Sequence, residues 1–142
     1  MHFPTAAHHI RWFTEVTGGD EATHTVALYV AELGLSDPRC LRWSASCYAM
    51  AAVMLSNWLA GRETVLQLPL PHSCVARVAS KIGEITDISE TLKSALFLSA
   101  QGEPAYDKYA GDPERVSQRA AKLLSERSGQ QRINSRCHCS AC

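Results

Sequence analysis

The sequence predicts an all-α fold, a bundle of five or six helices around a central Ala-rich helix, and three observations predict it. Apolar residues recur at helical spacing in one segment after another. The run from Ser44 to Gly61 is apolar nearly all the way round, which places it at the centre of a bundle rather than on its surface. No stretch alternates apolar and polar residues as a half-buried strand would. A chain of 142 residues is long enough for one domain whose core needs no disulfide.

Thr5 is positioned to cap a first helix in which Ala6, Ile10, Phe13 and Val16 share a face, and Gly18-Gly19 ends it. Asp20 stands as the cap of a second helix whose Ala22, Val26, Tyr29, Val30 and Leu33 fall on one stripe. Gly34 is expected to close it in the left-handed conformation, and Asp37-Pro38 keeps it from resuming. The third helix runs from about Ser44 to Ala60. Its Ala45, Ala49, Ala51, Ala52 and Ala60 allow close approach of neighbours, and Gly61 terminates it. Arg62 to Pro71 reads as a connector, because Pro69 and Pro71 exclude regular helix, and Ser73 offers the next cap. Val75, Val78, Ala79 and Ile82 mark a short helix broken at Gly83. A new start at Thr86 or Asp87, with the capping-box spacing Asp87 to Glu90, precedes Ile88, Leu92, Ala95, Leu96 and Ser99, and Gly102 closes it. Pro104 opens a brief helix with Tyr106 and Tyr109. Asp112-Pro113-Glu114 opens the last, with Val116, Ala120, Leu123 and Leu124. Beyond Ser125 periodicity and aliphatic content fail, so residues 3–125 read as the domain and 126–142 as a basic, Cys-containing disordered tail.

The fourteen Lys and Arg equal the fourteen Asp and Glu, so no global field favours nucleic acid or an anionic membrane. From Arg115 onward, however, six cations face the single acid Glu126. The apolar stretch Cys47 to Leu55 falls well short of the roughly 20 residues of a membrane span, so no membrane partner is expected. The N-terminus has no apolar signal core, and Cys40, Cys47 and Cys74 stand singly, which reads as an intracellular chain with reduced thiols.

Chemistry finds little to rest on. The end Cys137-His138-Cys139-Ser140-Ala141-Cys142 is dense in metal-type ligands, but a structural zinc site needs four closed ligands, and one cluster does not supply two pairs. The same end parses as Cys139 to Cys142 for prenylation, with Arg132 and Arg136 as basic co-signal, although Ser140 and Ala141 are not the aliphatic pair. His8 and His9, with His2 and His24 nearby, point in different directions along a helix and have no Glu at zincin spacing. Cys47 or Cys74 with His72 lacks a protease context and reads as small core residues. No phosphate-cradling glycine loop, nucleophile elbow or aspartate pair is present, so no enzyme, cofactor, catalytic residue or metal site is expected. Tyr29, Trp12, Trp43 and Trp58 read as core aromatics. Glu32 is the unusual acid in an apolar stretch, read either as a solvated helix edge or as the ion-pair partner of Arg39 or Arg42.

The segment Tyr29-Val30-Ala31-Glu32-Leu33-Gly34-Leu35-Ser36-Asp37, followed by Leu41 and Trp43, then Ser46 with Ala49, Ala51 and Ala52, resembles the start of the C-terminal domain of a mitotic A- or B-type cyclin. Lys81-Ile82-Gly83 is similar to that family's Lys-x-Gly-Tyr turn, with Glu84 in place of Tyr. Lys108-Tyr109 is similar to the end of its Ile-Arg-x-Lys-Tyr segment, and Val116-Ser117 to its Val-Ser. Phe3-Pro4-Thr5 stands where such cyclins enter this domain, so the resemblance covers about Phe3 to Ala121. Ala45 stands where proline is usual. The resemblance implies an interaction module of cell-cycle control, the C-terminal half of a cyclin-dependent kinase regulatory subunit, resident in nucleus or cytoplasm. Nothing in the chain resembles the N-terminal cyclin box that chiefly grips the kinase, so kinase binding by this chain alone is expected to be weak or indirect. Two other readings stay open. One is a cyclin-fold nucleic-acid-binding domain of the transcription-factor kind, against which the bundle lacks a basic helix; the other is a metal-binding protein resting on the tail.

Overall fold

The computed structural model describes residues 5–63, 72–99, 103–111 and 115–139, with side chains for 5–63, 76–99, 103–111 and 115–133. The expected connector through Pro71, the closing Gly102 and the Asp112-Pro113-Glu114 start lie outside the described residues, wholly or in part. So do the entry at Phe3-Pro4 and the side chains of His2, His72, Ser73, Cys74 and Cys137 to Cys142.

The described residues are helical and contain no strand. Seven α-helices follow one another as α1 (Ala6–Val16), α2 (Glu21–Gly34), α3 (Ala45–Leu59), α4 (His72–Ser80), α5 (Ile82–Leu98), α6 (Pro104–Ala110) and α7 (Val116–Cys139), with a 3-10 turn at Pro38–Arg42 between α2 and α3. The all-α bundle is as expected. Helix α3 is its axis: it packs against α1, α2, α5 and α7, and Cys47 to Val53 are buried without a break. Alanine makes this possible, since Ala49, Ala51 and Ala52 are fully buried and leave room for neighbours on three sides. Ser44 caps α3 by accepting from the Cys47 N–H at 3.3 Å, and Gly61 leaves it at φ +76°.

Helix α2 begins as its sequence dictates, with Asp20 Oδ1 accepting from the Thr23 N–H at 2.8 Å and from the Thr23 hydroxyl at 2.7 Å. These bonds hold the Asp20 carboxyl below the usual carboxylate range. Its end departs from expectation. Gly34 is not left-handed, positive-φ glycines in the described chain being Gly18 and Gly61. The four carbonyls that any helix end leaves without intrahelical partners are satisfied one by one. Tyr48 Oη donates to Ala31 O at 2.6 Å, Leu35 N to Glu32 O at 3.2 Å, Ser36 Oγ to Leu33 O at 2.7 Å and Asp37 N to Gly34 O at 3.0 Å. Glycine is required at 34 for space: a Cβ there would collide with the Tyr48 hydroxyl and a Leu92 methyl.

Two further differences concern α5 and α7. Gly83 does not break a helix but sits in the first turn of α5, which begins at Ile82, and the Asp87 to Glu90 spacing lies in its interior. A glycine costs least in a first turn, and Ile85, Ile88, Leu92 and Leu96 then form one buried stripe. Helix α7 continues to Cys139, where the sequence reading places a disordered tail from residue 126. The segment carries Arg127, Gln130, Gln131, Arg132 and Arg136, all good helix formers, and Lys122 in the preceding turn reaches Glu126 at 3.9 Å. Val116, Ala120 and Leu124 bury against the bundle, while Arg127 lies over the Trp58 ring of α3 at 5.2 Å, as does Lys93 of α5 at 4.4 Å.

Candidate functional site

Glu32 settles into neither of its two expected roles. Arg39 is taken by Asp37, at 2.7 Å, and the Glu32 carboxylate turns instead to α6. Its Oε1 accepts from Lys108 Nζ at 2.7 Å and from Tyr109 Oη at 2.9 Å. Tyr109 is buried with its ring 5.2 Å from that of Tyr29. The residues Tyr29, Glu32, Lys108 and Tyr109, 76 and 77 positions apart across the two bonds, therefore form a single clasp between α2 and α6. This clasp is structural. A hydrogen bond to a carboxylate is worth roughly 1.5–3 kcal/mol and an exposed ion pair about 0–1 kcal/mol. Glu32→Ala is thus expected to lower stability by about 2 kcal/mol, measurable by urea unfolding. In a double-mutant cycle with Tyr109→Phe, the coupling should account for most of that loss.

A second polar network lies at the α1–α2 turn. Arg62, just past α3, donates from Nη1 to Gly18 O and from Nη2 to Thr23 Oγ1 and Asn57 Oδ1, each at 2.9 Å. Asn57 is buried and donates from Nδ2 to Thr17 Oγ1 at 3.2 Å. No local spacing announces this network, since Asn57 and Arg62 look like ordinary helix-end residues.

Among the described residues the histidines and cysteines do not assemble into a centre. His8 Nδ1 accepts from the Thr5 N–H at 3.3 Å as part of the α1 start. His24 is buried; desolvation and the nearby Arg11 charge lower its pKa, against the opposing pull of Glu21, with Oε1 3.6 Å from the ring. Glu21 is itself bound by Arg11 at 2.9 Å, which ties α1 to α2. Cys40 and Cys47 are free and buried, and burial pushes the Cys40 thiol up, away from the reactive thiolate. Among the described residues no three His, Cys, Asp or Glu side chains gather as a metal site, and no helix is long and apolar enough to cross a membrane.

Of the expected core aromatics, Tyr29 is fully buried. Trp43 and Trp58 are partly buried against the core, while Trp12 is 42% exposed. Leu41, in the 3-10 turn, is 77% exposed. Trp12 borders a groove of about 330 Å³ between α1, the start of α3, α4 and α5. A wider depression of about 670 Å³ lies beside Trp58, where Lys93, Arg62 and Arg127 meet Glu63 and Glu90. In the first, Ser44 is bonded within the α3 start, to Ser46 Oγ and the Cys47 N–H. The arrangement offers surfaces for contact.

No curated protein matches the chain, and no solved structure does. A family model does match: that of the cyclin C-terminal domain, over residues 4–118, a span that takes in α1 to α6 and the start of α7. With its central alanine helix, and with Lys108 and Tyr109 of α6 closing on Glu32 of α2, the chain belongs to the cyclin C-terminal domain family.

Proposed function

We propose that the chain serves as the C-terminal half of a regulatory subunit of a cyclin-dependent kinase, of the mitotic A or B type, in cell-cycle control in the nucleus or cytoplasm. The observation that carries this reading is the Glu32 clasp. Tyr29, Glu32, Lys108 and Tyr109 all belong to the segments that resemble mitotic cyclins, and they meet in space as one unit. The role is regulation by contact: the bundle supplies a rigid body that supports the kinase-gripping cyclin box and adds secondary contacts, with no catalytic group of its own. A cyclin-dependent kinase assayed with a mitotic N-terminal cyclin box alone, and with that box fused to this chain, tests the reading. The fusion is expected to bind more tightly and to stimulate the kinase further, while this chain by itself does neither. A fusion no better than the box alone would refute the proposed role, and stoichiometric activation by the unfused chain would refute its subsidiary character.

A further inference from the structure

The groove beside Trp12 has an apolar floor and a basic rim. Phe13 of α1, Met50 of α3 and Ile85 of α5 are buried at its base, Val78 of α4 is half-buried at its side, and Trp12 stands over it with its ring 5.0 Å from that of Phe13. The charged side chains lining it are all cationic or basic: His9, Arg77 and Lys81. Lys81 has one carboxylate neighbour, Glu84, at 3.5 Å, and Arg77 has no ion pair among the described residues. The volume lies at the lower end of ordinary clefts, roughly 300–1,000 Å³, which suits a short peptide anchor. An exposed tryptophan beside arginine is the composition that dominates binding energy at protein interfaces.

We propose that this groove docks a short acidic peptide segment of a partner protein, whose large apolar side chains enter the cleft while its carboxylates meet Arg77, Lys81 and His9. Charge complementarity selects this occupant. The rim repels a basic segment, and carboxylates flanking the apolar anchors offer Arg77 a counter-charge that no described residue supplies. Shape supplies the rest, since the floor is built from side chains of three packed helices and stands ready before binding.

The test uses the full chain and two fluorescein-labelled octapeptides with leucine and phenylalanine at the same two positions, one with Glu and Asp elsewhere and one with Lys. Fluorescence anisotropy near physiological salt, about 0.15 M, should show the acidic peptide binding at least about tenfold more tightly than the lysine peptide. Arg77→Glu with Lys81→Glu, both at exposed positions, should reverse that preference, and Trp12→Ala should weaken the acidic peptide by about tenfold. Circular dichroism confirms that each variant is folded. Equal affinities, a preference for the lysine peptide, or binding untouched by all three substitutions would overturn the proposal. So would a self-associated chain that Trp12→Ala returns to monomer and that binds neither peptide, because the occupant would then be a second copy. No kinase takes part, so failure here leaves the kinase reading standing.

Discussion

Gly34→Ala is expected to destabilise the fold by about 3 kcal/mol, at the upper end of what overpacking a core costs. On propensity alone the change should help, since alanine in a helix is favoured over glycine by about 1 kcal/mol. Sterics decides the sign. The added methyl meets the Tyr48 hydroxyl and Leu92, the first held by its bond to Ala31 O and the second buried on the α5 stripe. Neither has a free direction in which to move. Tyr48→Phe removes the nearer atom and, on its own, costs about 1 kcal/mol by leaving the Ala31 carbonyl without its donor. The double variant Gly34→Ala/Tyr48→Phe should therefore lose less than the sum of the single losses. Chemical denaturation of all three measures this, and strict additivity would show that the methyl is accommodated elsewhere.

Asn57→Ala should cost a similar amount, about 3 kcal/mol, for a different reason. Asn57 is buried and bonded on both sides of its amide, donating to Thr17 and accepting from Arg62. Truncation leaves a void and takes from Arg62 one of three acceptors that hold the α1–α2 turn against the end of α3. Arg62→Ala should cost about 2 kcal/mol, less because the side chain is only half-buried. Because the two residues share one network, the double variant should fall short of additivity by about 1 kcal/mol. Thermal unfolding followed by circular dichroism resolves differences of that size.

What the sequence disclosed follows from which forces leave a local imprint. Burial on every side wrote itself into the composition of α3, and the alanine run could be read as an axis before any neighbour was placed. The buried face of α2 is wider than its apolar spacing shows. Thr23, His24, Ala27 and Ala31 are buried as well, and small or polar residues carry no periodic signal. Glycine invites a conformational reading at positions 34 and 83, whereas one is there for a tyrosine 14 positions later and the other rides in a first turn. The outer part of α7 has no apolar stripe, so only its helix-forming composition could have betrayed it. Glu32 was singled out correctly as unusual, but its partners lie on a helix far along the chain, and long-range pairing is not written in local spacing. The basic groove leaves no local mark for the same reason: it needs α1 and α4, distant in sequence, to border one cleft.

The Trp58 contact of Arg127 bears on where this protein can be cut. The matched family span stops at residue 118, yet Ala120 and Leu124 lie beyond it in the core, and Arg127 roofs an indole on the central helix. An expression fragment trimmed to the family limits would sever α7 within its first turn, three residues after its start, and bare the flank of the bundle it shelters. The evolutionary edge and the mechanical edge of this domain are different places, and the second lies at least nine residues further out.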